Sequence, residues 1–264
     1  MIEEMTQRER ELIFTKEFIE TVVSSVETIR IYPRRNVHLD VVLLILLLRC
    51  VRAARAVCIL AEQEMGDGAF VLSRTALEIC VTARYIANTN SEDRAIRYVE
   101  YFGKDRERLS QLIRTYQPSA ASSFSPDHEQ LLSMANKFKS PHAWIDGGLR
   151  TMAYEPLKWS VEDARQGEYW YDVIYRLASH ESHCTSAAAY WDLAEFGHSV
   201  AGLNFPFTFW QSKTSESNRS RALFNAFFFT AECLRHVFHG LREDPPPAIT
   251  TKRQAVDEVF RRNC

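Results

Sequence analysis

A chain of 264 residues with a formal net charge of −2 has no global basic field to draw it to nucleic acid or to a membrane surface. Its 46% hydrophobic and 25% charged residues are those of an ordinary globular protein, long enough for one large domain or two small ones. Only 9 Gly and 9 Pro interrupt long runs of apolar periodicity, which points to an all-helical chain and away from sheet architectures.

The opening segment MIEEMTQRERELIF is charged and lacks a signal-peptide core. The six cysteines are scattered, with no C-x-x-C pair, and read as small hydrophobes of a reducing cytoplasm. Residues 2–30 read as a first helix with an apolar stripe from Leu12 to Ile29, ended by Pro33. A second runs from Val37 to Met65. Its run Val41 to Leu48 is too short to span a bilayer and reads as a buried helix segment, so no membrane partner is expected. Arg49, Arg52 and Arg55 follow on one face, which most simply is solvated. Gly66-Asp67-Gly68 is the expected turn.

The third helix, Ala69 to Asn88, is apolar around most of its circumference yet carries Arg74 and Glu78 at i, i+4. A buried charge is costly unless paired, so the two are expected to pair with each other or with a facing helix. If that pair is interior, Glu78→Ala should cost roughly 3 kcal/mol by stranding the arginine. An amphipathic helix over 91–117 is expected to start at Ser91 as N-cap, and Pro126 opens another to Lys139. Residues 140–161 read as an ordered connection that packs Trp144, Tyr154 and Trp159. A helix from Glu168 to Ala189 follows, then a second irregular span over 196–217.

A long helix from Asn218 to Leu241 closes the bundle. Its phenylalanines read as core, and His236 and His239 as complements to its dipole. Pro245 to Pro247 break the chain, and Thr251 to Arg262 read as a short terminal helix, mobile or intermolecular. The expectation is a single all-α bundle of roughly seven main helices over 1–241, with two irregular aromatic-rich connections and a tail over 242–264.

No glycine-rich phosphate loop, G-x-S-x-G elbow, H-E-x-x-H helix or EF-hand loop occurs, so no cofactor is expected. The chemistry concentrates in 168–189, EYWYDVIYRLASHESHCTSAAA. Tyr171, Tyr175, Ser179 and His183 recur every four residues, and Arg176, His180 and His183 form a neighbouring stripe. An Arg and a His two turns apart suit phosphodiester cleavage, the first holding phosphate and the second moving a proton. His180 and His183 with Glu78 or Glu181 offer a metal set, but the carboxylate-bridged pattern needs Glu-x-x-His on two helices and only one exists. The polar cluster also admits a purely structural role, its members satisfying one another.

The stretch R-LASHES-H at Arg176 to His183 resembles the R-x(4–6)-H signature of the HEPN superfamily, helical proteins of bacteria and archaea. Many of them are metal-independent endoribonucleases of toxin–antitoxin and phage-defence systems. The resemblance implies catalytic Arg176 and His183, an RNA substrate and a homodimer whose two motifs face each other. A broader resemblance covers about Val41 to Leu241. L-x-R-T-A-L-E at Leu72 to Glu78, with Arg84-Tyr85 and then Y-R-L-A-S-x-x-x-H at Tyr175 to His183, is similar to a bacterial helical family named domain of unknown function 5677. That likeness implies that Arg74, Glu78, Tyr175, Ser179 and His183 come together, with the 69–88 and 168–189 helices face to face. The competing expectation is a helical scaffold or regulatory subunit whose cluster is structural or binds an anion.

Overall fold

In the computed structural model, the most apolar segments of the sequence become three central helices. It describes residues 5–27, 37–119, 133, 136–138, 144–160, 165–182 and 216–261, and these hold helices and turns without a strand. The central helices are α2 (Val37–Glu62), α3 (Gly66–Asn88) and α8 (Glu216–Leu241). Each packs on the other two. Their facing sides carry Leu43, Leu47, Leu77, Ile86, Leu223 and Phe227, all at most 1% exposed. Full burial of such a side chain contributes about 1.5–3 kcal/mol. Alanines at 54, 76, 83, 222 and 226 are also buried and let the backbones approach. The limit of approach is Gly240, where a Cβ would lie 2.4 Å from Leu43 Cδ1.

Around this centre lie α1 (Gln7–Glu27) and α9 (Pro247–Arg261), which pack on each other, and α4 (Ser91–Tyr116), which packs on α2. Phe18 of α1 meets Phe227 edge to face at 5.0 Å. Glu92 of α4 accepts the backbone N–H of Leu39 at 3.1 Å, capping the start of α2 from a neighbouring helix. Three short elements complete the chain: α5 (Gly148–Tyr154), α6 (Gln166–Tyr169) and α7 (Arg176–Ser182), with the π-helical turn Trp170–Tyr175 joining the last two. The all-α bundle is thus the architecture observed.

Several boundaries differ from the sequence reading for physical reasons. The α2–α3 turn is made by 63–65, not by Gly66–Gly68. Glu64 takes a left-handed conformation (φ 60°) and Met65 N–H reaches back to Leu60 O at 2.9 Å, so both glycines fall inside α3. Ser91 is the first residue of α4 rather than its cap; Asn90, left-handed at φ 46°, precedes it and makes no side-chain cap bond. The proline run starts a helix as well as ending one, since Pro247 opens α9, where a missing N–H costs nothing. That terminal helix is docked. It buries Ile249, Val256 and Phe260, and Gln7 of α1 donates to Val259 O at 3.1 Å.

The apolar run in α2 is mostly buried, with Val41, Ile45 and Leu48 on its outer side. No helix among the described residues is long and apolar enough to cross a membrane. Arg49, Arg52 and Arg55 are exposed, and Arg55 Nε donates to Glu20 of α1 at 2.8 Å. Cys50, Cys58, Cys80 and Cys233 are buried free thiols; burial pushes Cys58 up to about 12 and raises Cys80 well above the ordinary thiol range. The dipole role of His236 and His239 is corrected. His236 is 0% exposed and neither ring nitrogen has a hydrogen-bond partner among the described residues. Desolvation, with Arg235 nearby, pushes both imidazoles below their ordinary range, which disfavours the cation a helix C-terminus would attract.

Trp144, Tyr154 and Trp159 are packed as expected of the 140–161 connection. Trp144 sits edge-on between Tyr85 and Tyr98, at 5.5 and 5.4 Å. The helix expected over 126–139, the span 196–217, Pro33, Cys184, Cys264 and positions 183–189 lie wholly or largely outside the described residues.

Candidate functional site

The segment in which the sequence concentrates its candidate site residues is fixed at its start by Trp170, which is 1% exposed. It meets Phe228, Phe229 and His236 edge to face, at 5.7, 5.5 and 6.4 Å. From there the backbone runs through one π-helical turn, a wider turn that appears frequently at functional sites. In it Tyr171 and Tyr175 stack at 5.0 Å with 12° between their planes. Tyr154 of α5 lies edge-on to Tyr171 at 6.2 Å.

Arg74 of α3 reaches this segment. Its Nε donates to Glu78 Oε1 at 2.8 Å, its Nη2 to the Tyr175 hydroxyl at 2.8 Å and its Nη1 to Ser182 Oγ at 3.1 Å. Its guanidinium carbon is 4.5 Å from the Tyr175 ring centroid, a cation–π contact. Ser182 in turn donates to the Ser179 carbonyl at 3.0 Å. One arginine therefore binds its own helix, the end of the π turn and the last turn of α7. The side chains are part-exposed: Arg74 22% and Glu78 39%. The pair expected in the interior is therefore part-exposed rather than buried.

Arg176 points elsewhere. Its side chain is 58% exposed and its ion pair is with Asp172, one turn back, at 3.3 Å. It makes no hydrogen bond to Arg74, Glu78, Tyr175 or Ser182 among the described residues. Asp172 also accepts the hydroxyl hydrogen bond of Tyr154, which raises the phenol above its usual range. His180 is exposed on the same short helix. His183, and the side chain of Glu181, lie outside what is described. Among the described residues no group of three His, Cys, Asp or Glu side chains is placed to hold a metal ion.

So the geometry brings Arg74, Glu78 and Tyr175 together, includes Ser179 through its carbonyl, and leaves Arg176 and His180 on open surface. The sequence reading missed Ser182, which does what Ser179 was expected to do. It also missed Asp172, although the i, i+4 spacing to Arg176 was visible.

Fold and site define a helical-bundle protein with an interhelical Arg–Glu–Tyr–Ser junction, half open to solvent. A family model, described as Family of unknown function (DUF5677), matches residues 40–198, and the chain belongs to that family. The match runs from α2 through α7 and contains both halves of the junction, while α1, α8 and α9 lie outside it. No curated protein and no solved structure matches the chain.

Proposed function

We propose that the protein is a HEPN-like, metal-independent endoribonuclease, or a degenerate relative of one, of the bacterial toxin or phage-defence type. The observation that supports this most is the contrast between Arg74, in the junction, and Arg176, outside it. Arg74 is committed to holding the α6–α7 segment in place. Arg176, on that segment, is exposed, and its partner Asp172 is itself 42% exposed. A pair of that kind contributes about 0–1 kcal/mol and yields readily to a phosphate group.

In this reading Arg176 binds the scissile phosphate and His183, two turns on, transfers the proton. The RNA 2′-hydroxyl attacks the adjacent phosphorus. The bond to the 5′-oxygen breaks, and that oxygen takes up a proton as the cyclic phosphate forms. The nucleophile comes from the substrate, so the reaction needs no bound metal or cofactor. A homodimer with two motifs facing each other would supply an acid and a base.

The test is cleavage of a labelled RNA in EDTA, with the cyclic phosphate identified as product. Arg176→Ala and His183→Ala should each lower the rate by about a hundredfold or more while the helical CD spectrum persists. Cleavage that survives in His183→Ala removes the assigned role.

A second reading rests on Arg74 itself, which is bound to Glu78, Tyr175 and Ser182 at once. A guanidinium held this way serves a non-enzymatic scaffold or regulatory subunit equally well, fixing the register of α7 on α3. A wild-type protein that cleaves no RNA, with Arg74→Met abolishing capture of a partner, would favour it.

A further inference from the structure

A cleft of ≈ 670 Å³ opens between α1, α8, α9 and Trp159, of the size that holds small molecules. Its walls include Phe18, Leu234, Phe238 and Ile249, each buried within the bundle. Arg235 and Arg253 line the cleft and are held by Glu232, a carboxylate only 4% exposed that is not itself part of the lining. Glu232 accepts Arg235 Nε and Nη2, at 2.9 and 2.5 Å, and Arg253 Nη2 at 3.0 Å. Two guanidiniums thus share one carboxylate beside apolar walls. Asp257 stands 3.9 Å from Arg253 Nε, beyond hydrogen-bond distance, and burial raises its carboxyl above the ordinary range.

The cleft's mouth adds a third guanidinium. Helix α8 ends with Arg242 N–H bonded to His239 O at 3.1 Å and Glu243 N–H to Phe238 O at 3.0 Å. This closure places Arg242 in the left-handed region, φ 57°, where glycine is favoured. Arg242 faces the cleft, and Glu243 and Asp244 line it beside Arg242.

We propose that this cleft binds a small apolar monoanion. Its ring or branched chain lies on the accessible apolar faces of Trp159 and Pro245, and its acid group sits against Arg235 and Arg253. The apolar walls select the body of the ligand, and the doubled guanidinium selects the charge. The carboxylates of Glu243 and Asp244 oppose a polyanion, which separates this ligand class from nucleic acid and polyphosphates. Apart from Trp159, the cleft's lining residues lie outside the matched stretch 40–198, so the site is independent of the ribonuclease reading.

The probe pair is 1-anilinonaphthalene-8-sulfonate, an aromatic monoanion, and N-phenyl-1-naphthylamine, its uncharged near-isostere. Both are titrated against the full chain by fluorescence. The sulfonate should bind once per chain, and the neutral compound about tenfold more weakly. Arg253→Met should weaken the sulfonate by about tenfold and leave the neutral compound unchanged. Arg242→Met and Thr250→Trp alter exposed positions on the cleft, so folding does not hang on them. The first should weaken the sulfonate alone, and the second should exclude both compounds. Sulfonate binding that survives Thr250→Trp in a folded protein, or equal affinity for the two compounds, overturns the proposal.

Discussion

Arg74 and Arg84 stand on the same helix and are spent in opposite ways. Arg84 is 0% exposed, and its Nη1 donates to the carbonyls of Met152, Ala153 and Glu155 at 3.5, 3.3 and 2.8 Å. Those carbonyls end α5, where a cation also meets the negative pole of the helix. Around it Arg94 grips both oxygens of Glu155, at 2.8 and 2.9 Å, and Asn88 bonds the same carboxylate at 2.7 Å. Arg74 instead binds side chains on a part-exposed edge. Backbone partners cannot change rotamer, and side-chain partners can. One end of α3 is therefore a closed latch and the other an adjustable junction, which is where a functional site belongs.

The largest expected effect tests that contrast. Arg84→Met should lower the unfolding free energy by about 4 kcal/mol, because buried carbonyls lose their donor, while Arg74→Met should cost about 1 kcal/mol. Urea unfolding at neutral pH measures both. Equal losses would break the comparison.

Gly167→Ala sharpens it next. The new Cβ would meet Ala153 O at 2.1 Å and Arg84 Nη1 at 3.1 Å. Backbone cannot give way as a side-chain tip does, so α6 must lift off α5 at a cost of about 2–3 kcal/mol. Because both changes act on one carbonyl, the double variant with Arg84→Met should lose less than the two separate losses together. Strict additivity would mean that Gly167 and Arg84 do not share that contact.

These two ends differed in legibility for the same reason. Apolar periodicity revealed α2, α3 and α8, and charge on an apolar helix revealed Arg74 and Glu78. Arg84 was visible as a letter, but its partners are main-chain carbonyls of a connection, which leave no side-chain pattern. Ser182 was missed for a geometric reason. Seven residues from Tyr175 bring it back within about 20° on an α-helix, whereas a step of four, to Ser179, overshoots by about 40°. Local helical phase, more than a repeating letter pattern, decides which serine meets Arg74.

Acid should act on the latch side. His236 packs edge-on to Trp159 and Trp170, with charged Arg84 and Arg235 and titratable His239 as its neighbours, and desolvation pushes its pKa well down. Its unfolded value is about 6.5, so below that pH the unfolded chain takes a proton that the folded one refuses. Stability is therefore full above pH ~6.5 and falls as pH drops, by up to about 1.4 kcal/mol per unit for this one group. His236→Phe should flatten the curve by one proton, read from urea midpoints between neutral pH and mild acid. An unchanged slope would mean that the ring charges in place.

The smallest expected effects lie at the junction, and they correct the figure expected from sequence. Glu78 is 39% exposed, so its removal leaves Arg74 with water, Tyr175 and Ser182 rather than stranded. Glu78→Ala should then cost about 1 kcal/mol or less, where a fully buried pair would cost about 3. Tyr175→Phe removes one acceptor but keeps the ring under the guanidinium at 4.5 Å, so about 0.5–1 kcal/mol is expected. If either change costs as much as Arg84→Met, the junction is as closed as the latch, and Arg74 fixes the fold instead of presenting α7. If both are small, the α7 surface that displays Arg176 rests on contacts weak enough to rearrange, which is the freedom a binding or catalytic segment uses.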